Sequence, residues 1–313
     1  MASTLRSQPT PLAPFLKWVG GKTQLMDQLM GRFPAKMGSY YEPFVGGGSV
    51  LLALLNRVRA GELTVAGRIV ACDANPLLIN VFVQVRDVPG DVHSAINEIV
   101  DKYRGIAAFK GCKTPESEEA AMSSKESYYY WLRRMFNSHS QLDARNAAMF
   151  IVLNKLCFRG VFRMGPNGFN VPFGHYVKTP QFPTRERWLE YSEAFARVEF
   201  ICQDFETTLA KPQGGDFVYL DPPYVPVTAT SFVGYTEGGF SSKQHGTLFG
   251  LARGLMARGI VVLMSNSDAP IVHETFKDCA IEKILARRAI NSRNPESKCF
   301  ETLVTNPIPE TNQ

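Results

Sequence analysis

The stretch Phe217-Val218-Tyr219-Leu220-Asp221-Pro222-Pro223-Tyr224 decides the fold. An apolar run without polar alternation reads as a strand buried on both faces, the habit of a parallel sheet. The strand is expected over 216–220. Two prolines then stop it, because neither carries an N–H for the ladder, and Asp221 is left at its carboxyl end. Working outward, 259–264 reads as another strand and 243–258 as the helix between the two. Upstream, 39–44 is strand-like, Val45-Gly46-Gly47-Gly48 is a turn, and 49–57 looks helical. Residues 68–72 form a further buried strand ending at Asp73. Strands alternating with helices predict an α/β fold on a mostly parallel sheet.

The middle of the chain, 76–184, lacks that rhythm. Helical stretches at 91–103, 126–137 and 143–156 surround an uneven polar segment at 111–125, and 154–176 is dense in Arg, Phe, Gly and Asn. This predicts an all-helical insertion closing in an irregular, functional loop. The expected division is 1–75 with 185–313 for the sheet-bearing domain and 76–184 for the inserted one. With 313 residues, 45% hydrophobic and 20% charged, a sizeable core is within reach. Residues 1–14 lack the charged start and apolar run of a signal peptide, and apolar runs such as 260–264 are too short for a bilayer, so a cytoplasmic protein is expected. A net charge of +5 suits a polyanionic partner but is shared by many enzymes. The six cysteines stand singly without zinc-ligand spacing, which predicts reduced, mostly buried thiols and no metal.

Glycines 46–48 sit where a strand hands over to a helix, a place where the backbone approaches a ligand. Asp73 follows at the next strand end, the position of an acid that binds ribose hydroxyls. A tight turn and an exposed aspartate would look the same. Gly21-Lys22-Thr23 suggests a phosphate loop, but that motif needs glycine where Leu16 stands, so the ATPase reading fails. Lys22 is better read at the start of a helix, able to meet a carboxylate such as that of a methionine moiety; a surface lysine fits the spacing equally.

Asp221-Pro222-Pro223-Tyr224 suits one chemical problem. The exocyclic amine of adenine is a poor nucleophile because its lone pair is delocalised into the ring. A carboxylate and a backbone carbonyl, each accepting one amine hydrogen, free that lone pair for an in-line methyl transfer. The nitrogen turns acidic only as the methyl arrives, so an aspartate of pKa about 4 can take the proton. Tyr224 offers a face for an extruded base. The competing account is a proline-stiffened loop with an incidental aspartate.

The chain resembles the DNA adenine methylase family along nearly its whole length. The resemblance rests on Phe15-Leu16-Lys17-Trp18 with Gly20-Gly21-Lys22, Tyr41-Glu42-Pro43-Phe44-Val45-Gly46-Gly47-Gly48-Ser49, Asp73-Ala74-Asn75 and Asn154-Lys155. It continues through Gly160, Arg163, Gly168-Phe169-Asn170-Val171-Pro172-Phe173-Gly174, Asp221-Pro222-Pro223-Tyr224 and Ser265-Asn266. The resemblance implies a Rossmann-like, seven-stranded methyltransferase sheet, mostly parallel with one antiparallel strand that includes 302–305, and a helical target-recognition domain. It implies S-adenosyl-L-methionine as cofactor, contacted by Trp18, Lys22, Phe44, Gly46, Gly48, Asp73, Asp204 and Asp221. Asp221, Pro222, Pro223 and Tyr224 would be the catalytic set.

Arg159 and Arg163, interleaved with Phe158 and Phe162, have the composition of a DNA-reading loop, since arginine pairs with guanine and an aromatic can wedge into the gap of a flipped base. An amphipathic turn with solvated arginines and core phenylalanines would look similar. Lys155, Lys178, Arg185 and Arg187 are candidate phosphate contacts. The family adds Lys17, Arg163, Pro172 and Tyr176 as base-contacting positions. Phe158-Arg159 departs from the aromatic-Asn pair common in enzymes that read GATC. The expected substrate is double-stranded DNA with a short palindrome holding a central adenine, GATC or a relative such as CATG. A cognate restriction endonuclease is a possible partner, and the oligomeric state is not legible. An RNA adenine methyltransferase and a catalytically inactive DNA-binding protein are the rival readings.

Overall fold

The computed structural model describes residues 10–226, 240–287 and 298–306. Its main sheet has seven strands: β1 (Tyr40–Glu42), β2 (Ile69–Asp73), β3 (Val198–Cys202), β4 (Phe217–Leu220), β5 (Val261–Ser267), β6 (Ala280–Arg287) and β7 (Lys298–Thr305). They lie in the order β6-β7-β5-β4-β1-β2-β3. β1 runs parallel to β2 and β4, and β4 to β5. β7 runs antiparallel to both β5 and β6, as the resemblance implied for 302–305.

β4 is apolar throughout because both of its faces are covered: Phe217, Val218, Tyr219 and Leu220 are all fully buried. β1 lies between β2 and β4, so the sequence order of the strands reverses there. At such a reversal the loops leave in opposite directions and open a crevice at the carboxyl ends of the strands. Glu42, Asp73 and Asp221 all stand at those ends.

Contacts divide the chain into two compact units: Met1–Gly21, Gly46–Asn56 and Asn75–Phe200 in one, and Lys22–Val45, Arg57–Ala74 and Ile201–Gln313 in the other. The first unit carries the helices Pro76–Asp87, Pro89–Gly105, Lys125–Ser138, Ala144–Leu156 and Arg185–Phe195. The sequence reading missed Pro76–Asp87, whose Leu78, Ile79, Val81, Phe82 and Val85 imitate a buried strand. Its start is nonetheless well marked. The Asn75 side chain accepts from the N–H groups of Leu77 and Leu78, and proline occupies the first turn, where its missing N–H costs nothing. The insertion is also not all-helical: Met164–Gly165 pairs antiparallel with Gly168–Phe169 in a small hairpin.

In the second unit, Leu248, Phe249, Ala252 and Leu255 on the helix Ser242–Ala257 join Val218, Leu220, Val262 and Met264 in one core. Ser241 and Gln244 close that helix with a reciprocal capping box. The expectation of mostly buried thiols fails. Among the described cysteines only Cys72 and Cys157 are buried, while Cys112, in a loop, and Cys202, at the end of the edge strand β3, are exposed. No described helix is long and apolar enough to cross a membrane.

Candidate active site

The second unit builds an acid cluster at the carboxyl ends of β1 and β4. Asp221 follows β4 directly, and the prolines behind it keep the chain from extending the strand. Lys22 stands at the N-terminal end of the short helix Thr23–Leu25, 4% exposed, with Nζ 2.7 Å from Asp221 Oδ2. Of the two readings of Lys22, the surface lysine is therefore excluded. The carboxylate it meets in this structure is one of the chain's own. Burial pushes the Asp221 carboxyl above its ordinary range, opposed by the Lys22 charge and by hydrogen bonds from Lys22 and Tyr224. An ion pair this enclosed depends on both partners, since either one alone would be an uncompensated charge.

Glu42 is a functional candidate whose chemistry the sequence did not reveal. It is 2% exposed at the end of β1, and Tyr40 donates to its Oε2 at 2.8 Å. Burial raises its carboxyl to about 8; the Tyr40 hydrogen bond opposes that rise and the Asp221 charge adds to it. Burial thus raises both carboxyls of this corner, and of the two only Asp221 has the Lys22 charge to oppose the rise. The Tyr224 hydroxyl donates to Glu301 Oε2 at 2.8 Å, and its ring lies 5.1 Å from Lys22 Nζ. Burial first, then the Asp221 and Glu301 carboxylates, hold the Tyr224 phenol well above its usual range.

The remaining candidate cofactor residues fall in both units. In the second, Phe44 stacks on Phe205 at 5.6 Å and meets Phe240 edge-on at 5.9 Å. Asp204 caps the helix Phe205–Leu209 through Oδ1 and Thr207 N, 2.7 Å, a structural role the sequence reading had not given it. That bond lowers its carboxyl pKa. Asp73 ends β2, its carbonyl accepting from Gln203 N at 3.2 Å. In the first unit, Gly46 (φ 48°) and Gly48 (φ 72°) hold left-handed conformations that favour glycine. A Cβ at Gly47 would lie 2.6 Å from Trp18 Cβ, so the glycine turn is required by the packing of Trp18 as well as by its backbone angles.

The first unit also carries the expected reading segment, and here the two arginine–phenylalanine pairs separate. Phe158 is 48% exposed, with Arg159 against its ring. Phe162 instead stacks on Trp18 and Phe150 at 5.7 and 5.1 Å, as a packing residue. Arg163 is exposed and donates to Asn170 Oδ1 at 2.7 Å. Tyr176 accepts from Arg159 N and donates to Cys157 O, and Lys17 Nζ lies 4.3 Å from its ring. Pro172 is exposed and its carbonyl accepts from Phe158 N. Lys17, Phe158, Arg159, Pro172 and Tyr176 are thus neighbours. Arg187, a candidate phosphate contact, is instead engaged by the carbonyls of Thr10 and Pro11 and by Glu190, because its helix packs against that N-terminal segment.

The segment is held by residues the sequence reading did not assign to that task. Asn154 acts like a strand edge: its Oδ1 accepts from Lys17 N, and its Nδ2 donates to Lys17 O and Gly160 O. Asn137 does the same for Phe169, and Tyr129 and Arg133 both donate to Val171 O. A buried asparagine in the apolar run Phe150-Ile151-Val152-Leu153 was a signal for the first of these.

Residues 18–291 match the family model of the D12 class N6 adenine-specific DNA methyltransferase. The chain is 32% identical to the Type II methyltransferase M1.LlaDCHI of Lactococcus lactis subsp. cremoris, over 96% of this chain and 98% of that one. It is 30% identical to the Type II methyltransferase M.MjaIII of Methanocaldococcus jannaschii, with 94% and 98% covered. With the DNA adenine methylase of Escherichia coli it shares 32% identity, over 93% of each chain. A match of this length, on a seven-stranded sheet with Asp221-Pro222-Pro223-Tyr224 at the end of its central strand, means that the chain belongs to the D12 class of N6 adenine-specific DNA methyltransferases.

Proposed function

We propose that this enzyme methylates the N6 amine of a flipped adenine within a short palindrome, GATC or a relative such as CATG, in double-stranded DNA. The observation that carries the reading is Asp221, fixed by two prolines at the carboxyl end of β4 and paired with a buried Lys22 at 2.7 Å.

The residues fit S-adenosyl-L-methionine as donor. Phe44 offers a ring beside Phe205, Asp204 is an exposed carboxylate held at the start of the helix Phe205–Leu209, and Asp73 stands at a strand end, where acids meet ribose hydroxyls. When bound, the donor supplies an electrophilic methyl on a sulfonium. The chain's own work is done at the amine. Asp221 accepts one amine hydrogen and the Pro222 carbonyl the other, which draws the nitrogen toward tetrahedral geometry. Lys22 stabilises the Asp221 carboxylate against its burial, and Asp221 takes the proton once the methyl has made the nitrogen acidic. Tyr224 stacks on the base. Lys17, Phe158, Arg159, Arg163, Pro172 and Tyr176 read the duplex, with Phe158 filling the gap left by the flipped base. The Type II names of two relatives support a restriction endonuclease as cognate partner.

Incubating the enzyme and labelled donor with DNA of randomised sequence, then mapping the modified base and its flanks, tests this. N6-methyladenine at one palindrome is the expected outcome. A non-palindromic site, or methyl transfer to RNA in preference to duplex DNA, overturns it.

A further inference from the structure

We infer that Glu301, on the antiparallel strand β7, is a positioning residue that fixes the Tyr224 ring and so sets the face on which the target base stacks. This rests on the reading of the tetrapeptide above. Pro222 and Pro223 have no N–H to give to a ladder, and side chains hold the chain that follows them. Asp221 is held by Lys22. Tyr224 and Val225 are held from β5 and β7. Asn266 Oδ1 accepts from Val225 N at 3.0 Å, and Ser267 Oγ donates to Val225 O at 2.5 Å. The Tyr224 hydroxyl donates to Glu301 Oε2 at 2.8 Å.

The register explains why one antiparallel strand belongs in this sheet. Glu301 lies directly opposite Ser267, so their side chains leave the same face, and they engage consecutive residues of the catalytic loop. One pins the backbone, the other the tip of the ring. A tyrosine ring has two rotatable bonds, and a bond at its hydroxyl removes the freedom that backbone pinning leaves. With Lys22 over one ring face, the base stacks on the other. Glu301 never touches the base and acts only through the ring.

The test is a double-mutant cycle on the full chain. Glu301→Leu, Glu301→Gln, Tyr224→Phe and the combination of Glu301→Leu with Tyr224→Phe are compared in single-turnover methyl transfer to duplex DNA bearing the mapped site. The same proteins are tested for base stacking by the emission of 2-aminopurine placed at the target. Glu301→Leu is expected to lower kcat about tenfold, the size of one charge-assisted hydrogen bond, with KM for the donor unchanged. Glu301→Gln, which keeps an acceptor oxygen, restores most of the rate and the wild-type emission. Tyr224→Phe loses at least as much, because the Tyr224 hydroxyl also faces Asp221, and adding Glu301→Leu to it costs nothing more. Losses that multiply, or a Glu301→Gln variant as slow as Glu301→Leu, overturn the inference while leaving the proposed function intact. A wild-type enzyme that transfers no methyl to adenine overturns both. Should Glu301→Leu fail to fold, Glu301→Ala with and without Tyr224→Phe closes the same cycle.

Discussion

Asp221 and Arg163 belong to regions held by opposite means. The Asp221 loop leaves a strand that is wholly buried, its backbone is stiffened by two prolines, and Asp221 is paired with Lys22 within the second unit. The proposed reading segment of the first unit is joined to itself by a small hairpin and by an isolated bridge between Cys157 and Phe173. Other backbone groups of it are held by the side chains of Asn154, Asn137, Tyr129 and Arg133, and its arginines reach solvent. A group that handles a proton must be enclosed so that its surroundings set its pKa. Groups that read a duplex must stay accessible, and they need only a frame that fixes their origin.

The largest expected effect tests the enclosed region. Asp221→Ala should lower single-turnover methyl transfer by about a thousandfold or more, with DNA affinity largely retained. A variant keeping more than a few per cent of the rate would remove Asp221 from the chemistry. Glu42→Gln sharpens the same side through stability. The folded protein keeps the Glu42 proton up to about pH 8, whereas the unfolded chain releases it near 4.5. Wild-type stability therefore falls as pH rises through that window, because the unfolded state then binds fewer protons. Thermal midpoints of the wild type and Glu42→Gln should agree near pH 4.5 and part toward pH 8, with the variant higher. Parallel curves would mean that Glu42 ionises normally.

The open region breaks differently. Asn154→Ala removes three bonds to Lys17 and Gly160 at a buried position and should cost about 2 to 3 kcal/mol in denaturant unfolding. A loss under half a kcal/mol would show that the segment has another frame. Arg163→Ala should leave the fold alone and cost about 1 to 2 kcal/mol of discrimination between the mapped site and other sequences. Equal weakening on every sequence would reassign Arg163 to a phosphate.

Sequence and structure agree best where one physical rule acts over a short stretch. β2, β4 and β5 and the helices Ser49–Arg59 and Ser242–Ala257 lie within a few residues of their expected limits, since apolar runs and glycine or proline punctuation are local signals. The helix Pro76–Asp87 was missed because its apolar residues surround it, and the strand β6 because its charges mask its pattern. At the site, the tetrapeptide, the glycine turn and the arginine–phenylalanine segment were legible as motifs. Their partners were not. Phe158 and Phe162 look alike in the chain, and only burial separates an exposed ring from one stacked on Trp18.

What the sequence alone determined is the inventory: buried parallel strands, an acid behind two prolines, and an arginine-rich segment in the middle, each encoded within about ten residues. Tertiary structure decided which groups meet. Lys22 lies 199 positions from Asp221, and Glu301 77 from Tyr224, yet each pair is within hydrogen-bond reach. Such pairings follow from strand order and register, which depend on how the whole sheet packs rather than on any local pattern.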